Sequence, residues 1–383
     1  MKNIYLDYNS HTPCDNLVVE AMNELWTQPG NPHSVNHAFG WSKEQIIKDA
    51  LQGFAEIYDC FEDELLFTSG ATEANNLAIT SGLNIAKNVK PKANTILTSY
   101  LEHKSVLAPL ELISKKLNLN LIFVDLNDNG TINLENLKHH LDSNDVLWVS
   151  CAMTNGVIGT NQPISAISDM CSENNVLLHV DASQAGYLPI SCLDLDIDFL
   201  TLSAHKIYGP SGIGLLYSKH LQRPDFEPMI VGGGQQDGLR AGTLATPLIV
   251  GFKKAAEIMH ENKEVEAESL KLLRQILIES LSNELNVEVI GNTSNRHPGN
   301  LYLAIAGVDS VQLLNNLQPH LAFSLSSACD GLNREYSPLM QAMGISREKS
   351  ETTLRICIGR LTTKEEVLIA AKMIIEAVKN INL

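Results

Sequence analysis

The sequence predicts an α/β fold: a mostly parallel sheet covered by helices on both faces, followed by a smaller α+β domain. Between residues 95 and 217, short apolar runs alternate with helical stretches. This is the pattern of strands buried on both faces and joined by crossover helices. After residue 252 the pattern becomes one long amphipathic stretch, then strands and helices in mixed order. The 383 residues suffice for a large core and a second, smaller one. Ligands in such sheets collect beyond the carboxyl ends of the strands, so that is where chemistry is sought.

Taken in order, Tyr5-Leu-Asp-Tyr8 is a short extended piece and Asn9-Ser-His-Thr-Pro13 carries turn chemistry. Residues 17–26 have helical spacing. Gly30-Asn-Pro-His-Ser34 breaks it, and residues 39–57 are helical again, rich in Lys, Glu, Gln and Ala. Residues 64–67 form a brief apolar strand that runs into Thr68-Ser-Gly-Ala-Thr-Glu73 and a helix over 74–79. Strand, glycine turn and helix start make an anion-binding arrangement. The same residues also serve as a plain helix cap, with Ser69 or Thr72 capping. Strands follow at 95–98, 121–124, 146–149, 176–180, 197–202 and 213–217, with helices over 105–117 and 164–174.

Residues 231–243 hold five glycines in thirteen positions, which no regular element tolerates. The stretch is a flexible linker, or a loop whose Gln235, Arg240 and Thr243 serve a phosphate or a partner subunit. Residues 252–283 read as one long amphipathic helix or two, bridging to the second domain. Strands at 287–290, 301–305 and 354–358 and helices at 311–317 and 364–380 complete it. The expected division is 14–255 for the large domain, with 1–13 and 256–383 in the small one.

The chemistry gathers around Ser203-Ala-His-Lys-Ile-Tyr-Gly-Pro210, which stands between two apolar strands. An ammonium is costly to bury there; a neutral amine or a Schiff base is cheaper. Alone, the stretch reads as a surface lysine in an ordinary hairpin. Asp181, at the end of Val176-Leu-Leu-His-Val180, changes that reading. A carboxylate to pair a pyridinium nitrogen and a lysine to hold an aldehyde together suit pyridoxal 5'-phosphate. His103, Asn155, Asp181 and Lys206 all fall at carboxyl ends of strands.

Composition limits the alternatives. The formal charge of −16 disfavours nonspecific binding to nucleic acid or an anionic membrane. No apolar run approaches the roughly 20 residues of a membrane helix, and the start lacks a signal-peptide core. A cytoplasmic enzyme is expected. The seven cysteines are scattered without a CxxC, which argues against a disulfide framework or a structural metal site. Cys329 differs from the rest. It lies in Ser324-Leu-Ser-Ser-Ala-Cys-Asp-Gly-Leu-Asn-Arg-Glu335, small and polar with no periodicity, a composition suited to a mobile loop delivering a nucleophile.

With these pieces in place, the chain resembles the cysteine desulfurases, within the class V aminotransferase group. The resemblance rests on Tyr5-Leu-Asp-Tyr8, Gly30-Asn-Pro32, Thr68-Ser-Gly-Ala-Thr-Glu73, Glu102-His-Lys104, His179-Val-Asp-Ala-Ser-Gln184, the Lys206 stretch, 232–243 and Ser326-Ser-Ala-Cys329. It implies a pyridoxal-phosphate fold type I enzyme, with a seven-stranded, mostly parallel sheet in the large domain. Lys206 would carry the Schiff base, Asp181 pair the ring nitrogen and Gln184 bond the ring's phenolic oxygen. His103 would stack on the ring and shuttle protons. Ala71, Thr72, Ser203 and His205 would hold the phosphate, with Thr243 reaching across from a second subunit of a homodimer. Asn155 would touch cofactor and substrate, and Arg355 would clamp the carboxylate of L-cysteine with its planar fork. Cys329, in the manner of the long-loop subgroup, would take the substrate sulfur as a persulfide and release alanine. A sulfur-acceptor protein or an iron–sulfur scaffold is the implied partner.

The chain departs from the family pattern in three places. In Thr154-Asn-Gly-Val-Ile-Gly159, Gly156 stands where the family has a second asparagine, and Asn155 comes one residue early. His11 stands where the usual pattern is Ala-Thr-Thr-Pro, and is expected near the substrate side. The sequence ends at Leu383, without the longer tail by which housekeeping members dock the scaffold. These departures keep open a selenocysteine lyase or aminotransferase, and a degenerate cofactor-binding interaction protein. Cys329 argues against an aminotransferase, which has no use for a mobile thiol.

Overall fold

The computed structural model describes residues 3–143, 145–325 and 336–381. The chain begins with β1 (Ile4–Tyr5), α1 (Asn16–Trp26), α2 (Ala38–Tyr58), β2 (Leu65–Thr68) and α3 (Ala71–Val89). β3 (Thr95–Thr98), α4 (Lys104–Leu117), β4 (Asn120–Phe123), α5 (Leu134–Leu141) and β5 (Val146–Ala152) follow. Next come α6 (Ile164–Glu173), β6 (Leu177–Asp181), β7 (Phe199–Ser203) and β8 (Gly214–Ser218). The remainder is α7 (Thr246–Ser282), β9 (Val287–Val289), β10 (Asn300–Ile305), α8 (Ser310–Leu317), β11 (Leu321–Ala322), α9 (Pro338–Ala342), α10 (Arg347–Ser350), β12 (Thr353–Cys357) and α11 (Lys364–Ile381).

The short apolar runs assemble into one seven-stranded sheet in the order β2-β8-β7-β6-β5-β3-β4. From β7 to β4 the neighbours are parallel, while β8 is antiparallel to both β2 and β7. Every residue of β5 is buried, as a central strand covered on both faces requires. On one face, α3 and α4 bring Leu77, Leu83, Val106 and Leu110 against Leu66, Trp148 and Phe199. The approach is close: a Cβ on Gly82 would lie 2.3 Å from the Trp148 ring. On the other face Phe54, Phe67, Cys151, Leu178, Leu200 and Phe252 pack together.

The second core lies around the antiparallel sheet β12-β10-β9, with Leu270, Leu277, Leu313, Ile356 and Ile374 among its residues. β1 pairs in parallel with β11, so Ile4 and Leu6 join this core from the start of the chain. α7 is a single helix of 37 residues that begins earlier than the hydrophobic spacing suggests, with a proline in its first turn. Its first half faces the large core through Ile249 and Phe252, its second half the small one through Leu270 and Leu277. Among the described residues, no helix is long and apolar enough to cross a membrane.

Further elements differ from expectation, among them α9, α10 and β11, which no apolar pattern marked. α3 extends far beyond 74–79 because its polar residues are satisfied rather than solvated: Ser81 donates to Glu227 O at 2.5 Å and Asn84 to Glu227 Oε2 at 2.8 Å. α5 is a short helix whose stripe of Leu134, Leu137 and Leu141 spans only two turns; it starts on an Asn133 cap that accepts from Asn136 N–H.

Candidate active site

Lys206 sits in the short 3-10 turn Ala204–Lys206 that follows β7 directly. Its amine donates to the main-chain oxygens of Asn9 at 2.5 Å and Ser10 at 2.7 Å. Burial lowers the amine to about 8, and Arg355 pushes the same way; Asp7, Cys357 and Asp181 oppose. A lysine so placed is neutral far more often near neutral pH than an exposed one, which favours a nucleophilic amine.

Asp181 closes β6 and is buried. One oxygen accepts from Ser183 N–H at 2.9 Å and the other from the Asn75 amide at 2.9 Å. That amide also donates to Ser105 Oγ at 2.9 Å, and the same hydroxyl lies 2.8 Å from His103 Nδ1. His103 caps α4 through this nitrogen, which accepts from Ser105 N–H. Desolvation holds its imidazole below the usual value; Asp181 opposes this and Lys206 adds to it. Two sequence-predicted residues are thus wired together by Asn75, which sequence reasoning missed. Its position one turn into α3 was the only signal.

Asn9 is the second residue missed. Its main-chain oxygen accepts from Lys206 and, at 2.7 Å, from Gln184 Nε2. Its side-chain amide donates to Gly156 O at 3.0 Å, and its Oδ1 accepts from the Cys357 thiol. Gly156 O also accepts from Arg355 Nη1 at 3.2 Å. Arg355 pairs with Asp7 through Nη2 at 2.9 Å, while its buried Nε has no hydrogen-bond partner among the described residues. Lys206, Gln184, Gly156 and Arg355 are therefore brought together by the N-terminal segment.

Asn155 spends its side chain on the main chain. Its amide donates to Leu101 O at 2.7 Å, and Oδ1 accepts from the N–H groups of Val157 and Ile158, both at 2.8 Å. A side chain committed this way builds the turn rather than the site.

On the other side of the lysine, Ser203 Oγ lies 3.0 Å from His205 Nδ1. Burial lowers His205 to about 4, and Lys206 and His11 add to this. The His11 ring stacks on His205 at 5.4 Å and its Nε2 meets Ser211 Oγ at 2.8 Å, so it stands on the Ser203–His205 side. β7, β8 and β2 bring Ser203 level with Gly214 and Gly214 level with Thr68. The start of α3 is therefore adjacent. Its cap, Gly70, has no side chain to satisfy the helix's free N–H groups, and Ala71 and Thr72 form the first turn.

The glycine-rich segment is held to its own chain at two points. Gln236 exchanges hydrogen bonds with both main-chain groups of Phe67, at 2.8 and 3.0 Å, and Arg240 grips Glu73 with two at 2.8 and 3.1 Å. Thr243 at its end is exposed. Cys329 lies outside the described residues. Among those described, no group of His, Cys, Asp and Glu is placed to hold a metal ion.

A lysine and an aspartate at neighbouring strand ends, beside an uncapped helix start, define a site of the pyridoxal-phosphate type. Residues 4–369 match the family model described as aminotransferase class-V, and the chain belongs to that family, whose members depend on pyridoxal phosphate. It is 39% identical over 384 residues to the cysteine desulfurase IscS of Ehrlichia chaffeensis, spanning 99% of this chain and 92% of that protein. The cysteine desulfurase IscS of Rickettsia typhi is 39% identical over 374 residues, 97% of this chain and 90% of the relative. Among solved structures, a NifS-like protein superposes with a TM-score of 0.89 at 30% identity, covering 99% of this chain and all of that one. A NifS-like protein from Rickettsia africae gives 0.84 at 26% identity, over 99% of each chain.

Proposed function

We infer that this chain is a pyridoxal-phosphate-dependent cysteine desulfurase, converting L-cysteine to L-alanine and passing the sulfur to an enzyme thiol. The observation that carries the reading is the Lys206 amine, lowered to about 8 by burial at the end of β7, with Asp181 closing the adjacent strand β6. The residues fit the cofactor. Asp181 can accept from a ring nitrogen, and the α3 start with Thr72, Ser203 and His205 offers donors for a phosphate.

In this reading Lys206 holds the cofactor's aldehyde, Gln184 bonds its phenolic oxygen, and Ala71, Thr72, Ser203 and His205 seat the phosphate. Bound pyridoxal phosphate supplies the electron sink that takes the pair left at Cα when its proton is removed. His103, held neutral, accepts and returns protons over the ring face; Asp181, reached through Asn75 and Ser105, fixes its orientation. Arg355, its fork held by Asp7 and Gly156 O, turns its guanidinium to the substrate carboxylate. The Cys329 thiolate attacks the substrate sulfur. The Cβ–S bond breaks, an S–S bond forms on the enzyme, and protons delivered to Cβ and returned to Cα complete alanine. Asn155 contributes by setting the turn that carries Gly156.

The finer features belong to the same proposal. Residues 14–255 make the large domain, with 1–13 and 256–383 the small one. A second copy of the chain covers Trp26, Val35, Phe39, Trp41 and Val231, apolar side chains that are 55–76% exposed, and brings Thr243 to its neighbour's phosphate. The sulfur goes on to an acceptor protein or an iron–sulfur scaffold in the cytoplasm, where thiols stay reduced.

The test is product analysis of purified protein given cysteine and dithiothreitol. Alanine and sulfide in equal amounts, with a visible absorbance band lost in Lys206→Ala, are expected. A preparation that neither takes up the cofactor nor forms alanine would overturn the reading.

A further inference from the structure

Tyr208, two residues after Lys206, is a buried tyrosine with a φ of +66°. A bulky side chain rarely adopts that backbone, and such strain persists only where the surroundings impose it. Arg360 is the principal restraint. It follows β12, the strand that carries Arg355, and comes from the other core. Its guanidinium carbon lies 4.1 Å above the Tyr208 ring, and its main-chain N–H donates to the Tyr208 hydroxyl at 2.7 Å. Two carboxylates fix the guanidinium: Asp15 at 2.7 Å and Glu266 of α7 at 2.8 Å.

Asp15 ties Arg360 to the lysine by a second route. Its N–H donates to Tyr208 O at 2.9 Å. Between Asp15 and Asn9, Thr12 donates to His205 O through both its N–H, at 3.1 Å, and its hydroxyl, at 2.9 Å. The same hydroxyl accepts from Tyr208 N–H at 2.8 Å. The segment 9–15 therefore wraps the turn 205–208, and its carbonyls at Asn9 and Ser10 receive the Lys206 amine. Arg360 closes this wrap at its far end by holding Asp15 and Tyr208 together.

We propose that Arg360 is a positioning residue for Lys206: by clamping Tyr208 and Asp15 it fixes the strained turn and the carbonyls that aim the amine, and so sets the lysine relative to Arg355. The proposal rests on the reading of Lys206 as the cofactor lysine. The charged and titratable groups facing the amine are Arg355, Asp7, Cys357, Asp181, His103 and His205. Substitutions at 360 and 208 leave all of them in place. Loosening the turn hydrates the lysine nitrogen and relieves the burial that disfavours its protonated form.

The experiment compares wild type, Arg360→Met, Arg360→Lys and Tyr208→Gly as holoenzymes. It reads the pH midpoint of the visible cofactor band, kcat and KM for cysteine, and thermal stability. Arg360→Met should raise the midpoint by about one pH unit, a tenfold change, and lower kcat on the order of tenfold to a hundredfold with KM changed far less. Arg360→Lys keeps the charge but lacks the stacked fork, and should shift the midpoint less, in the same direction. In a Tyr208→Gly background, where the backbone no longer needs restraint, adding Arg360→Met should move the midpoint less than in wild type. A lower melting temperature with an unchanged midpoint and kcat would make Arg360 purely structural and overturn the proposal. Should Arg360→Met fail to fold, Arg360→Lys decides in the same way. A wild type without a visible band would instead sink the cofactor reading on which the proposal rests.

Discussion

The amine of Lys206 lies 2.5 Å from the main-chain oxygen of Asn9, a residue 197 positions earlier in the chain. The N-terminal segment is thus part of the site, with the Asn9 side chain pinning Gly156 O and accepting from the Cys357 thiol. Asn9→Ala keeps the carbonyl but frees the segment. It should lower kcat/KM about tenfold and cost about 1–3 kcal/mol of stability, since buried polar groups lose partners. Steady-state kinetics and chemical denaturation check both; unchanged kinetics would separate Asn9 from the lysine.

Glu102 supplies a pH test independent of activity. It is buried, one oxygen accepting from Ala152 N–H at 2.5 Å and the other without a partner among the described residues. Burial, then Asp181, pushes its carboxyl from 4.5 to about 8. A carboxyl raised in the folded state binds its proton more tightly there. It contributes fully below about 4.5, and that contribution is lost as pH rises through about 8. Glu102→Gln removes the titration, so its melting temperature should fall less over that interval than wild type's. Parallel curves would show that Glu102 does not titrate between those limits.

Gly156 has a backbone outside the left-handed region, and a Cβ there would lie 3.4 Å from Gln184 Nε2. Glycine is therefore not demanded by the chain's geometry. An asparagine amide there adds a hydrogen bond worth about 0.5–1.5 kcal/mol, a two- to tenfold gain in kcat/KM on cysteine. Gly156→Asn should exceed both wild type and Gly156→Ala at equal cofactor content. Equal losses in both variants would mean that the open space itself is used.

Much of this was legible in the sequence because it depends on periodicity. Apolar runs such as Val146-Leu-Trp-Val149 locate central strands, and strand ends locate Asp181 and Lys206. The antiparallel direction of β8 is a matter of connection length that no pattern within the strand records. Asn75 and Asn9 escaped notice for a different reason. Each acts through a fold-dependent contact across a long sequence separation, and asparagine in isolation signals a turn or a helix surface. Asn155 was legible as a polar residue at a strand end, but whether such a side chain serves the site or its own turn is decided by the main chain around it.

Arg355 sits on β12 with Asp7 on one nitrogen of its fork and Nε unpartnered. Arg355→Lys retains the charge and loses the planar fork. KM for cysteine should rise on the order of tenfold, with the cofactor band unchanged. A KM within twofold of wild type, roughly the noise of one weak hydrogen bond, would remove Arg355 from substrate binding.

The account turns on division of labour between Lys206, which holds the cofactor, and Cys329, which takes the sulfur. The direct measurement is the mass spectrum of peptides from enzyme treated with cysteine in the absence of reductant. One added sulfur atom on the Cys329 peptide is predicted, absent in Lys206→Ala, while Cys329→Ala keeps the cofactor band and forms no persulfide. No sulfur on Cys329, with Cys329→Ala still releasing sulfide and alanine at the wild-type rate, would contradict it.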